Sequence, residues 1–360
     1  MTRHERLSRC YLHRETDRPA VYSRSGFPAG DPTYDRLKAY LAEHTELKAG
    51  WSGCQFESGQ PWETHSEPHS ADFERHVSTL HTPKGDLRQS RLESRKGQPG
   101  LHETFLIRSA DDAEKYLSLP LPQIAGDPSS FLAVKAAVGD RGIAEVGLGM
   151  NPAGFVAELC GSETFALMSV TDRTILHALC ERQLAIMLQR VRFLVAAGVG
   201  PFFTMLGEEY VVPPLHGPRD FDDFNVRYDT PILDAVHNAG GRVHVHCHGA
   251  MKRVLAGFVE MGVDVLHPFE PPPQGDILAR EAKAVARGRT CLEGNIQIHR
   301  MYEASPEAIR EETEQLIADA FDDRRGLIVC PTASPYIRGR GEECFPNYQA
   351  MIDAVLACAH

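Results

Sequence analysis

The 360-residue sequence lacks the features that mark several common classes of protein. Its apolar runs fall short of the roughly 18 uninterrupted residues that a membrane helix needs, so no bilayer span is expected. Its 38 basic and 49 acidic residues give a net charge of −11, and no long Lys/Arg run offsets it. Nucleic acid and anionic membranes would find no electrostatic attraction here, which favours small molecules and other proteins as partners.

Motifs for nucleotides, paired thiols and secretion are also missing. The sequence has no Gly-x-Gly-x-x-Gly and no phosphate-binding loop ending in Gly-Lys-Ser/Thr, so nucleotide binding has no support. Its nine cysteines are an odd number without a Cys-x-x-Cys pair, which predicts reduced thiols. The first residues are too polar for a secretion signal, and we expect a cytoplasmic protein.

What is present is a globular composition and a strand–helix rhythm. With 42% hydrophobic residues the chain can bury a large core. Strands are predicted at 142–148 and 200–206, with helices at 163–180, 181–197 and 219–239. Four strand–helix units follow, with strands at 242–246, 263–267, 290–295 and 326–330. This pattern predicts a (β/α)8 TIM-type barrel, with a doubly wound open sheet as the second choice.

The first part of the chain differs in composition. Residues 1–125 are rich in polar residues and proline and show weak periodicity. We expect them to form an N-terminal cap segment packed on a barrel of residues 126–360, as one structural domain overall. No linker marks a boundary between the two.

The segment 242–249 (RVHVHCHG) carries the clearest chemical signal. His244, His246 and His248 alternate, which places their imidazoles on one face of a strand. Glu270 lies 22 positions after His248, just beyond the next strand, and Cys330 ends the last strand. The carboxyl ends of barrel strands meet at one rim, so these side chains should converge there.

Convergence of this kind predicts a metal site. Two imidazoles and a carboxylate, from His246, His248 and Glu270, suit Zn²⁺ and leave a fourth position open. Cys330 is a candidate fourth ligand, although a lone cysteine closing an apolar strand is usually a core residue. His244, one step deeper, would orient a ligand or contact substrate. The structural alternative is a half-buried strand whose histidines only bond to their neighbours.

Other polar residues are expected at the same rim. Glu209 follows the strand at 200–206 and is the candidate acid or base, whereas Glu208 is expected to be a solvated loop acid. Candidate substrate contacts are Tyr210, Asn295, Arg219 and His299.

The same segments resemble a known family. Residues 237–249 (HNAGGRVHVHCHG), 262–270 (GVDVLHPFE), 294–296 and 326–348, together with 15–21 (ETDRPAV) and 82–87 (TPKGDL), resemble the uroporphyrinogen decarboxylase superfamily, and in particular its zinc-dependent corrinoid methyltransferase branch. The resemblance implies a zinc ion held by His246, His248 and Glu270, and a corrinoid or corrinoid protein as methyl carrier. The usual second ligand is Cys where this chain has His248, and the usual last Cys falls nearest Ala333, so Cys330 would have to substitute.

These departures change the expected chemistry. Two neutral imidazoles and one carboxylate leave zinc with a net charge near +1, which makes it a stronger Lewis acid than a thiolate-rich site would. Decarboxylation is not expected, because residues 18–30 offer Arg18 and Arg24 but lack the Arg-Gln-Ala-Gly run of the decarboxylases.

Three hypotheses follow from these observations. The first is a metal-dependent methyltransferase or demethylase that moves a methyl group between a small molecule and a corrinoid or thiol acceptor. The second is a metal-dependent hydrolase or lyase that uses metal-bound water. The third is a non-catalytic protein that binds a small ligand in the barrel pocket.

Overall fold

The structure, a computed structural model, describes residues 1–53, 55–57, 62–96 and 99–358. Cys54, one of the nine cysteines expected to be reduced, lies outside the described residues. The other cysteines, all within the described part, are unpaired. Among the described residues, no helix combines the length and apolar character needed to cross a membrane.

A curled sheet of eight parallel strands forms the centre of the molecule. In chain order the strands are β1 (Ala20–Val21), β2 (Leu47–Trp51), β3 (Gly142–Met150), β4 (Phe202–Leu206), β5 (Arg242–His246), β6 (Val265–His267), β7 (Cys291–Ile296) and β8 (Leu327–Pro331). The spatial order is β1-β8-β7-β6-β5-β4-β3-β2, so from β2 to β8 each strand lies beside its sequence neighbours and β1 lies beside β8. At the seam the backbone N–H of Glu46 donates to the carbonyl of Val21 at 3.0 Å, which joins β2 to β1. This topology confirms the predicted (β/α)8 fold over the open sheet.

Helices surround the sheet and bury its outer face. They span Arg3–Tyr11, Asp35–His44, Ala110–Leu117, Ser130–Val138, Pro152–Cys160, Ser162–Thr171, Arg173–Ala196, Pro218–Phe221, Arg227–Asn238, Leu255–Glu260, Ala279–Ala286, Arg300–Glu303, Pro306–Ala320 and Gly341–Ala357. The two helices predicted at 163–180 and 181–197 instead break at Asp172. The helix predicted at 219–239 is nearly continuous, with a π turn at Asp222–Val226, and it ends before Gly240, whose φ of 78° suits glycine.

The N-terminal part contributes to the barrel as well as covering it. β1 and β2 both precede residue 125, so the barrel does not begin at 126 as expected. Outside the barrel, an antiparallel sheet joins Trp62–Pro68, Phe73–Leu80, Leu87–Ser94 and Leu101–Thr104, and a second small sheet pairs Gln55–Glu57 with Gln123–Ala125. The sequence did not reveal β1 because two residues show no periodicity.

The alternation of β5 explains how the fold positions chemistry. Val243 and Val245 are fully buried in the main apolar core, together with Leu233 and Val236 of the helix Arg227–Asn238. Burial of each such side chain stabilises the fold by roughly 1.5–3 kcal/mol. Because successive side chains point to opposite faces, the same packing turns the intervening histidines of β5 to the inside of the barrel.

Candidate metal centre and barrel mouth

A cavity of about 410 Å³ opens where the strands end, and it is called the mouth cavity here. Glu209, His248, Glu270 and His299 supply its ionisable side chains, and Val212, Leu215 and Ile298 supply apolar wall. His248 follows β5 and Glu270 follows β6, and these two strands are paired in parallel. Nδ1 of His248 and Oε2 of Glu270 therefore lie 3.0 Å apart.

This histidine–glutamate pair has one exposed and one buried member. The side chain of His248 is 40% exposed, whereas that of Glu270 is 6% exposed. His248 also stands against His246, with ring centroids 4.8 Å apart and planes perpendicular. His248 thus lies next to both of the other side chains predicted to bind metal, at the boundary between the mouth cavity and the barrel interior.

His246 has a partner that sequence reasoning missed. Its register partner on β6 is His267, and the rings stack at 5.0 Å between centroids. Their Nδ1 atoms are 2.9 Å apart. Burial lowers the pKa of His246 to about 2, and the charge of Arg24 acts in the same direction. Burial, followed by the charges of neighbouring side chains, likewise holds the pKa of His267 well below its usual value, so both rings are neutral near pH 7.

Arg24 reaches this histidine pair from the loop after β1. Its Nη1 atom lies 2.9 Å from Nδ1 of His246 and 3.3 Å from Nδ1 of His267. A guanidinium can only donate hydrogen bonds, so it faces the lone pairs of the two rings. The sequence placed Arg24 near the substrate region of the resembling family but gave no sign of this contact.

Beneath the histidines lies a second, polar cavity of about 330 Å³, called the inner cavity here. Lys48, Glu145, His244 and Glu293 line it. The ammonium of Lys48 bonds to Glu293 and lies 3.6 Å from Glu145. Burial raises the pKa of Glu293, an effect that Lys48 opposes. The signal for this cluster was available in the sequence, since Glu145 and Glu293 interrupt otherwise apolar strands.

His244 belongs to the inner cavity and not to the mouth. Its Nδ1 atom lies 3.0 Å from Oγ1 of Thr204, and burial lowers its pKa well below the usual value. Its Nε2 atom and Oε1 of Glu293 are buried and have no hydrogen-bond partner among the described residues. A polar ligand or water in this cavity would satisfy both atoms.

Cys330 lies with residues of the barrel interior. Its sulfur is within 4.8 Å of ligand atoms of His267 and Glu293, which together form a possible metal-binding group. Its thiol donates to the carbonyl of Pro331 at 3.2 Å, and burial raises its pKa far above the usual value. Lys48 already neutralises Glu293 and the Arg24 guanidinium faces His267, so the local charge disfavours a cation at this group.

The remaining predicted residues divide between the mouth and other places. Glu209 lines the mouth cavity and accepts a hydrogen bond from the Gly207 N–H at 3.1 Å. His299 lines it as well, with its Nδ1 atom 3.5 Å from Nε2 of Gln274.

Three predicted substrate contacts are placed elsewhere. Tyr210 directs its hydroxyl to Glu158. Asn295 is buried on β7 in register with Cys330. Arg219 is exposed in the helix Pro218–Phe221 and is not among the residues lining the mouth cavity.

Glu208 contradicts the expectation of a solvated loop acid. It is fully buried, and neither carboxyl oxygen has a hydrogen-bond partner among the described residues. Burial, followed by the charge of Asp229, raises its pKa well above the usual value. Its neighbour Glu209 occupies the cavity wall instead, so the two adjacent acids have opposite environments.

Together, a (β/α)8 barrel with ionisable residues gathered at the carboxyl ends of its strands defines a protein built like the barrel enzymes, which place their chemistry at this face. The family model described as Uroporphyrinogen decarboxylase (URO-D) matches residues 131–334, and the chain belongs to this family. The resemblance inferred from the sequence is thereby confirmed at the level of the family. No curated protein gives a significant match.

Solved structures add a likeness in fold. A methyltransferase from Methanosarcina mazei superimposes with a TM-score of 0.63 at 14% identity, over 99% of both chains. A D-psicose 3-epimerase from Clostridium cellulolyticum H10 gives a TM-score of 0.38 at 10% identity, over 64% of this chain and 83% of that one. At these identities the first likeness concerns the fold, and the second carries no argument.

Proposed function

We propose that this chain is a metal-dependent methyltransferase or demethylase that moves a methyl group between a small molecule and a corrinoid or thiol acceptor. The contact between His248 and Glu270 at the barrel mouth is the single observation that carries the proposal. Membership of the URO-D family and the fold shared with a methyltransferase support it.

The separation of His248 and Glu270 suits two ligands of one zinc ion. With bonds of about 2.0–2.2 Å and tetrahedral angles, two ligand atoms on one zinc lie roughly 3.4 Å apart. Nδ1 of His248 and Oε2 of Glu270, at 3.0 Å, are close to that separation. His246, His248 and Glu270 would hold the ion, and we leave Cys330 out because its thiol lies with His267 and Glu293. When bound, zinc would supply Lewis-acid activation of an oxygen or sulfur atom.

The residues around that position have separable roles. Glu209 lies on the wall of the same cavity as His248, where its carboxyl group can give a proton to an oxygen or sulfur atom that loses a methyl group, or take the proton from one that gains it. The apolar side chains of Val212, Leu215 and Ile298 can pack against the carbon skeleton of a substrate and exclude water. The polar inner cavity behind His246 offers room for a hydroxylated part of the substrate.

A methyl-transfer assay tests the proposal. The zinc-supplemented chain is incubated with cob(I)alamin and a set of methoxylated phenols, and methylcobalamin formation is followed by absorbance. We expect methyl transfer in the wild type and loss of at least about 100-fold in H248A and E270Q, which remove a ligand. The exposed His65, in the antiparallel sheet, and the exposed Glu163 provide matched controls, and H65A and E163Q should keep full activity.

The same assay separates the alternatives. Release of a demethylated or cleaved product without any corrinoid or thiol acceptor would instead show a hydrolase or lyase. Binding of a small ligand without turnover and without stoichiometric metal would show a non-catalytic protein. Either result contradicts the proposed methyl transfer.

A further inference from the structure

The contact between His246 and His267 involves the two Nδ1 atoms, 2.9 Å apart. A neutral imidazole carries one proton, so it presents one donor nitrogen and one acceptor nitrogen. The direction of this contact therefore depends on the tautomer of each ring, and the surrounding atoms decide the tautomers.

The tautomer of His267 follows from its other nitrogen. Nε2 of His267 lies 3.2 Å from the carbonyl oxygen of Pro331, and a carbonyl can only accept. Nε2 therefore carries the proton, and Nδ1 presents a lone pair towards His246. On this side His267 is an acceptor.

Two donors, the Nδ1–H of His246 and the guanidinium of Arg24, lie beside these nitrogens, and they require different tautomers of His246. The first is the Nδ1–H of His246, which can donate to Nδ1 of His267 at 2.9 Å and would leave the lone pair of His246 on Nε2. The second is Arg24, whose Nη1 lies 2.9 Å from Nδ1 of His246 and requires a lone pair there, which moves the proton of His246 to Nε2. Arg24 and the Nδ1–H tautomer of His246 are mutually exclusive, because two N–H groups cannot point at each other.

This exclusion matters for metal binding. A histidine that binds metal through one nitrogen donates its other N–H to a nearby acceptor, and that hydrogen bond fixes the ring. His267 is placed to be this acceptor for His246. We propose that His267 is a positioning residue, which selects the metal-binding tautomer of His246, and that Arg24 opposes metal binding by selecting the other tautomer.

The charge of Arg24 acts in the same sense as its hydrogen bond. A guanidinium within hydrogen-bond distance of Nδ1 of His246 repels a cation that approaches Nε2 of the same ring. The structure also offers the displaced guanidinium an acceptor, since Arg24 and Glu293 both line the inner cavity and Oε1 of Glu293 has no partner among the described residues. Metal binding at the mouth is thereby coupled to the position of the loop after β1. The inference rests on the proposed metal-dependent function.

Zinc affinity of the full-length chain tests the two roles with four variants. Zn²⁺ alone is titrated against a competing chelator dye at fixed pH. R24M should bind zinc more tightly than the wild type by on the order of tenfold, because both the competing donor and the charge are gone. The exposed Arg310 gives the matched control, and R310M should be unchanged. H267L should bind about 10–100-fold more weakly, whereas H267Q should stay within about threefold, because the glutamine oxygen accepts the same hydrogen bond.

A second readout needs no metal. Side-chain ¹⁵N chemical shifts of the metal-free protein report the tautomers directly. We expect the proton of His246 on Nε2 in the wild type and on Nδ1 in R24M. Zinc affinity in R24M equal to or weaker than wild type, equal losses in H267L and H267Q, or an unchanged His246 tautomer in R24M would overturn the inference. Absence of zinc binding in both wild type and R24M would contradict the proposed function, and the ¹⁵N spectra would then decide the inference by themselves.

Discussion

Nδ1 of His248 lies 3.0 Å from Oε2 of Glu270, although 22 residues separate the two in the sequence. Each follows the end of its own strand, and the parallel pairing of β5 and β6 brings the two ends to one rim. An exposed imidazole and a buried carboxylate thereby share one wall of the mouth cavity. This relationship, with His246 beside it, is the basis of the proposed metal centre.

Glu209 and Tyr210 are adjacent in sequence but should differ in their effect on turnover. Glu209 lines the mouth cavity, so E209Q should lower kcat for methyl transfer by about 10²-fold or more, as expected for loss of an acid or base. Tyr210 bonds to Glu158, so Y210F should change kcat and KM less than about twofold. Steady-state kinetics of the two variants check both statements, and equal losses would show that Glu209 has no special role.

The buried ion pair of the inner cavity should dominate local stability. Lys48 is 1% exposed and bonds to Glu293, with Glu145 3.6 Å away. K48M leaves two buried carboxylates without a counter-charge, and we expect a loss of about 3–5 kcal/mol in the free energy of unfolding. Urea denaturation measures it.

A surface pair gives the control for this prediction. Lys252 and Glu281 lie 2.8 Å apart with side chains 54% and 36% exposed. K252M should therefore cost only about 0–1 kcal/mol. The double variant K48M/E293Q should recover part of the loss, since it removes one of the two buried carboxylates that K48M leaves without a counter-charge. Similar costs for K48M and K252M would show that the inner pair is well solvated.

Glu208 should make stability depend on pH. Its pKa is raised by burial above the 4.5 of an exposed glutamate, so the folded chain keeps a proton that the unfolded chain releases. The stability that it contributes is full below pH 4.5 and is lost as pH rises towards the folded pKa, with a slope of at most about 1.4 kcal/mol per pH unit.

Replacement of Glu208 by glutamine, a neutral amide, removes this pH dependence. In urea denaturation at several pH values above 4.5, the free energy of unfolding of the wild type should fall relative to that of E208Q as pH rises. A constant difference between wild type and E208Q would show that Glu208 titrates normally in the fold.

The sequence predicted the parts of the site that depend on regular strands. Alternation along β5 and the 22-residue spacing from His248 to Glu270 predicted that these two side chains would meet at one rim, where their atoms lie 3.0 Å apart. The apolar strand segments and the helical segments between them were enough to predict the barrel fold. The division at residue 125 failed because β1 is only two residues long and β2 lies in a polar segment.

The missed residues depend on contacts between distant segments. Arg24 meets His246 across 222 positions, and nothing in the local sequence around either residue encodes that contact. His267 was visible only as the end of an apolar strand, because its role comes from register with His246. Glu208 was wrongly expected to be solvated, because its burial is decided by Asn225 and Asp229, which lie more than 15 positions further along the chain.

Zinc K-edge X-ray absorption of the zinc-loaded chain, combined with its metal content, tests the central claim most directly. The account predicts one zinc per chain with only nitrogen and oxygen ligands, the same spectrum in C330A, and loss of the bound metal in H248A. A sulfur ligand that disappears in C330A, or zinc that is undiminished in H248A, would contradict the proposed centre at His246, His248 and Glu270.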